Sequence, residues 1–330
     1  MSLANTSGAF ASRRRPLLPA WPAGLVPLGL AMLLAACATP QAAGPEARGG
    51  GAATVPGPAL SPASGPPGLP RIVHAVTASN ELIRLDAARP ERLLERRSLS
   101  GLAPGETIVG IDYRVARGML YALGSTGRLY VVDPRTARTR AVGEPALPAV
   151  ALSGRVGFDF NPAVDRIRVV TDAGLNARLH PDTGALVDFD PARAGAQPDG
   201  PLAFDPRDRD AGAAPAVVAA AYTYNQQDER LTTNFAIDAA RGLLLTQGTR
   251  ENATTPVSPN TGVLLTVGPL GTGPLEDVSF DIADIDNEAL ASVRQQGRSV
   301  LMRIDLLNGK ASPIGTIGDG SPVRGIAIEP

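Results

Sequence analysis

Four aspartates recur in one local setting, each directly after an aromatic residue or isoleucine that ends a short run of small or apolar residues. They stand in Val109-Gly110-Ile111-Asp112, Val156-Gly157-Phe158-Asp159, Leu202-Ala203-Phe204-Asp205 and Val278-Ser279-Phe280-Asp281, and a fifth copy, Arg324-Gly325-Ile326-Ala327, lacks the acid. Brought together, such carboxylates offer hard oxygen ligands to a cation such as Ca²⁺. A pair of them also suits glycoside hydrolysis, in which one carboxyl gives a proton and the other attacks or activates water. Asp112, Asp159, Asp205 and Asp281 are therefore the candidate axial ligand or cation site, and a hydrolase acting on a sugar or lactone-like substrate is one candidate function. The structural alternative is a turn cap, an Asp accepting backbone N–H groups where its strand ends, as the Asn161-Pro162 and Asp205-Pro206 contexts suggest. It is favoured because it explains a repeated Asp without any ligand.

A second chemical signal is Cys37, the only cysteine in 330 residues. It ends Leu34-Ala35-Ala36-Cys37, after an apolar run at residues 17–36 that follows Arg13-Arg14-Arg15 and is broken by Pro19, Pro22 and Pro27. A basic start, a short apolar stretch and a small-residue end make a removed signal segment rather than a membrane span. Its last position resembles a bacterial lipobox, in which the thiol takes a diacylglyceryl group and becomes the new N-terminus. Residues 1–36 are thus expected to be the signal peptide. Ser12-Arg13-Arg14-Arg15-Pro16 also resembles a degenerate twin-arginine signal, so either export route is open.

Residues 38–70 are nearly all Ala, Gly, Pro, Ser and Thr, with Glu46 and Arg48 as the only charges. Too few large apolar residues are present to fold, so this stretch reads as a disordered tether with a random-coil reach of ~30 Å. Loss of the leader takes Arg13, Arg14, Arg15 and no acid, moving the formal net charge from −1 to −4, which argues against nucleic acid as a partner. The expected partners are the membrane, through the anchor, and an envelope protein or glycan. The place of work is the bacterial cell envelope, facing the periplasm or the exterior.

Other motifs carry little chemistry. Asp281-Ile282-Ala283-Asp284-Ile285-Asp286-Asn287-Glu288 lacks the glycine and spacing of an EF-hand loop and reads as a solvated turn. Arg207-Asp208-Arg209-Asp210 reads as a self-paired surface loop. Gly124-Ser125-Thr126-Gly127 is not a nucleophile elbow, no phosphate loop is present, and no catalytic residue or cofactor is nominated.

The elements that must position the aspartates follow from their spacing. The aromatic or isoleucine positions, 111, 158, 204, 280 and 326, lie 47, 46, 76 and 46 residues apart, a period that suggests four-stranded blades. The period also survives joining the end of residues 71–330 to its start, as a ring closed by its C-terminal strand requires. A second series, apolar residue then Asp or His then turn, occurs at Asp86, Asp133, His180, Asp238 and Asp305. Five motifs of one kind alternate with five of the other, which predicts an all-β propeller of five four-stranded blades, with six blades the rival geometry. The long fourth interval is assigned to extra residues between Thr246 and Gly273, with an additional hairpin at residues 260–268.

Phe158-Asp159-Phe160-Asn161-Pro162-Ala163-Val164-Asp165-Arg166-Ile167-Arg168-Val169-Val170, Leu179-His180-Pro181-Asp182-Thr183-Gly184 and Ala219-Ala220-Ala221-Tyr222-Thr223 resemble the bacterial domain-of-unknown-function 4394 family. The likeness covers most of residues 73–329. It implies a propeller-like fold in exported bacterial proteins and supplies no catalytic residues. The function expected is a membrane-anchored lipoprotein whose propeller is a binding or scaffolding module, with the hydrolase as the alternative.

Overall fold

Runs of β-branched and aromatic residues punctuated by Asp, Asn, Gly and Pro turns divide the chain into strands too short to stand alone, and the sheets stack to bury both faces. The computed structural model describes residues 71–330; Cys37, the leader and the tether lie outside them. The described residues form twenty strands in five sheets and, besides these, only three single turns of 3-10 helix. The first blade contains β1 (Ile72–Thr77), β2 (Glu81–Asp86) and β3 (Leu93–Ser98). The second is β4 (Ile108–Arg114), β5 (Met119–Gly124), β6 (Leu129–Asp133) and β7 (Arg138–Val142). The third has β8 (Val156–Asn161), β9 (Arg166–Thr171) and β10 (Asn176–Leu179). The fourth has β11 (Ala203–Phe204), β12 (Val217–Tyr222), β13 (Asn234–Asp238), β14 (Leu243–Gln247) and β15 (Val263–Pro269). The fifth is β16 (Asp277–Ile282), β17 (Ala289–Gln295), β18 (Arg298–Ile304) and β19 (Ala311–Thr316). The last strand, β20 (Val323–Ile328), pairs antiparallel with β1 and becomes the innermost strand of the first blade.

The ring is therefore five-bladed and closed by its C-terminal strand, as the spacing predicts. Five apolar clusters fill the spaces between successive blades, the largest joining the fourth to the fifth through Phe235, Leu244, Val278 and Phe280.

Two details differ from expectation. The third blade has three strands and the fourth has five, because β11 runs parallel to β15 at the outer edge of the fourth blade. The inner strand of the fourth blade is β12, not residues 202–205. Leu202 and Phe204 are apolar because they plug the outer end of the space between the third and fourth blades, where the third lacks a strand. The residues expected as an additional hairpin are instead β15, an ordinary antiparallel neighbour of β14. The surplus length is thus divided between the segment before β12 and the loop before β15.

The second series behaves as turn chemistry. Asp86, Asp133, Asp238 and Asp305 each accept a backbone N–H two or three residues on, and His180 Nδ1 does so from Asp182 at 3.2 Å. In the fourth blade the motif ends the second strand, β13, rather than the third, so both series slip by one strand there.

Candidate functional site

The inner strands β20, β4, β8, β12 and β16 bring their free edges to the ring axis. Close approach needs small residues, and these occupy one position in every copy: Gly110, Gly157, Ala219, Ser279 and Gly325. A Cβ on Gly157 would lie 2.8 Å from Ala219 Cα and from Ala220 N, and one on Gly325 would lie 2.8 Å from Ile111 N. The axial void among these residues is only about 10 Å³.

Two residues further along, on the same side of each strand, stand Asp112, Asp159, Ala221, Asp281 and Ala327. The three aspartates are buried, and one carboxylate oxygen from each lies within 4.8 Å of the others. The next residue of every inner strand turns its N–H toward the axis, where no further strand can pair with it. Asp112 Oδ1 accepts Tyr113 N–H at 2.7 Å and its Oδ2 accepts Phe160 N–H of the next blade at 2.7 Å. Asp159 Oδ2 accepts Tyr222 N–H at 2.9 Å. Asp281 Oδ1 accepts Ile282 N–H at 2.6 Å and its Oδ2 accepts Ile328 N–H at 2.5 Å. Five axial N–H groups are thereby satisfied by five of the six carboxylate oxygens, leaving Asp159 Oδ1 over.

Burial pushes all three carboxyls up. Asp112 is raised further by Asp281, and Asp159 by Asp112 and Asp281, while the N–H donors pull the other way. Asp281 rises to about 7, through burial opposed by Ile328 and Ile282 N–H. No Arg, Lys or His among the described residues pairs with any of the three.

Beyond the carboxylates, where the inner strands end, a cavity of about 310 Å³ opens between Arg114, Phe160, Asn161, Tyr224, Gln226 and Asp284. Tyr224 is fixed by Asn287, which accepts its N–H at 2.7 Å and donates to its carbonyl at 2.9 Å. Burial and then the charges of Asp112, Asp159 and Asp281 raise its phenol. Arg114 is held by Asp165 and Asp182, each at 2.5 Å, and by Tyr121. With Arg114 so engaged, Asp165, Glu229 and Asp284 leave the cavity wall acidic. A second cavity, about 400 Å³, lies by Thr249, Arg250 and Leu265 in the fourth blade.

Three of the four predicted aspartates thus come together on the axis, and Asp205 does not. It follows β11 at the outer edge, where it accepts Arg207 N–H at 2.9 Å and pairs with the Arg207 guanidinium. The turn-cap reading holds for Asp205 alone. The other three lie within or at the end of inner strands and clasp them. The acidic stretch after Asp281 is the turn between β16 and β17, with Asp286 bonded to Arg71 and Glu288 to Arg303. Asp208 anchors its loop by accepting Thr266 N–H at 2.7 Å. Sequence reasoning missed Tyr224 and Arg114, which carry no repeat signal. It also missed the buried Arg168, paired with Asp199 and bonded to Asn176, Asn260 and Tyr222.

Fold and site together define an all-β, five-bladed propeller with carboxylates on its axis. The chain belongs to the family described as Domain of unknown function (DUF4394), whose sequence profile matches residues 81–327. Among curated proteins none matches. Similar solved structures include a nidogen/laminin complex, at 11% identity over 79% of this chain and 98% of that one, with a TM-score of 0.45. Another is a structural genomics protein of unknown function from Bacteroides thetaiotaomicron VPI-5482, at 13% identity over 77% of this chain and 62% of that one, with a TM-score of 0.43.

Proposed function

We propose that this protein is a lipoprotein of the bacterial cell envelope, anchored through Cys37 and tethered by residues 38–70, whose propeller is a non-catalytic binding module. The observation that carries the reading is the use of the axial acids: five of their six oxygens accept backbone N–H groups. A glycosidase or lactonase needs one carboxyl free to attack or activate water and another free to give its proton. Carboxylates committed to holding strands suit a scaffold instead. The 310 Å³ cavity above them, with its fixed tyrosine, amides and acidic wall, is the place for an envelope protein or glycan to dock. The mildly acidic mature chain disfavours nucleic acid.

Acyl labelling in cells tests the anchor, with label expected on the native chain and lost from Cys37→Ser; equal label on both would refute it. Capture from solubilised membranes tests the module. A cavity-filling Gln226→Trp variant with an unchanged melting temperature is expected to lose whatever the native chain retains. Turnover of glycosides or lactones that disappears in Asp159→Asn would instead support the hydrolase.

A further inference from the structure

Three buried carboxyls stand beside one another on the axis, and the five donors that reach them are backbone N–H groups, none of them a cationic side chain. Two independent features indicate what completes them. The first is size: a Ca²⁺ ion takes oxygens at about 2.3–2.6 Å, so two ligands on opposite sides of it stand up to about 5 Å apart. The axial oxygens lie within 4.8 Å of one another, close enough for one such ion to touch all three. An oxygen that accepts one N–H retains a lone pair, and Asp159 Oδ1 accepts none of the five axial donors.

The second feature is Ser279. Its side chain lies on the same side of β16 as Asp281, faces the axial void one pleat below the carboxylates, and is only 7% exposed. Its Oγ has no hydrogen-bond partner. The equivalent positions in the other inner strands are Gly110, Gly157, Ala219 and Gly325, which bring no polar group. A buried hydroxyl left unbonded is costly, and the 10 Å³ void beside it is about the room one water needs.

We propose that Asp112, Asp159 and Asp281 hold a Ca²⁺ ion on the propeller axis, with Ser279 Oγ reaching it from below through a single water. The ion enters from the cavity beside Tyr224 and ties the second, third and fifth blades to one centre. Its role is structural: it balances the charge of the acids that clasp the inner strands.

The test uses the mature chain, stripped with a chelator and titrated with Ca²⁺ by calorimetry and by thermal melting. One saturable site and a melting temperature raised by several degrees are expected. Asp159→Asn is the informative variant, because the asparagine Oδ1 can still accept Tyr222 N–H and so preserves the clasp while removing a charged ligand. It should fold and bind Ca²⁺ at least ten-fold more weakly; Ser279→Ala should weaken binding less. Absence of heat and of any melting shift with millimolar Ca²⁺ on the native chain would overturn the proposal. So would an undiminished affinity in Asp159→Asn, which would put the ion elsewhere.

Discussion

Asp159 differs from its two partners on the axis by one hydrogen bond, and the reason lies in the blade before it. Phe160 N–H, which follows Asp159, is taken by Asp112 of the preceding blade. The blades preceding Asp281 and Asp112 carry Ala221 and Ala327 at the equivalent position, so those two acids each fold back onto the N–H of the next residue in their own strand. Three acids and two alanines therefore serve five donors. His74 makes a second test at this scale. It is buried in β1 with Nδ1 3.1 Å from Tyr113 Oη, and burial lowers its pKa from 6.5 to about 4, with Glu329 opposing. The unfolded chain takes up this proton as pH falls through 6.5, but the folded chain takes it up only near 4. Stability contributed by the neutral imidazole is thus complete above 6.5 and lost as pH falls toward 4, on the order of 3 kcal/mol at 1.36 kcal/mol per unit. Denaturation of His74→Phe at pH 7 and pH 4.5 should show a smaller loss between the two than the native chain; an equal loss would put the acid sensitivity elsewhere.

Among the elements, the inner strands were the most legible in the sequence, because one small residue and one acid recur at fixed offsets. The small residue is the stricter requirement. Gly157→Val places its Cβ against the backbone of β12, 2.8 Å from Ala219 Cα, where nothing flexible can yield. Overpacking costs typically about 1–3 kcal/mol and more where backbone must move, so urea denaturation should show a loss at or above the top of that range. A loss under about 1 kcal/mol would mean that the inner strands are not held this tightly. The exception is β11, whose Leu202-Ala203-Phe204-Asp205 imitates an inner strand because it too must bury apolar groups between blades. β12, the real inner strand, has Ala221 where its counterparts have Asp, so it offered no acid to recognise. Arg168 was hidden by alternation, which treats a charged residue in a strand as outward-facing. Here Asp199, from the loop that follows the three-stranded third blade, reaches in to pair with it.

At the scale of the whole molecule, the five blades are joined by apolar clusters between them, by the pairing of β20 with β1, and by the acids at the centre. The first two were readable from a period that survives closure. The third was readable only as a set of candidates, since the sequence does not say that three acids share an axis or that a fourth lies at the rim. That the axial acids hold the ring is tested most directly by denaturation of Asp112→Ala in the presence of chelator. Tyr113 and Phe160 N–H would both lose their acceptor, and at about 1–3 kcal/mol for each buried donor left unpaired the variant should be less stable by about 2–4 kcal/mol once relaxation is allowed. An Asp112→Ala chain as stable as the native one, or more stable because a buried acid has been removed, would contradict it.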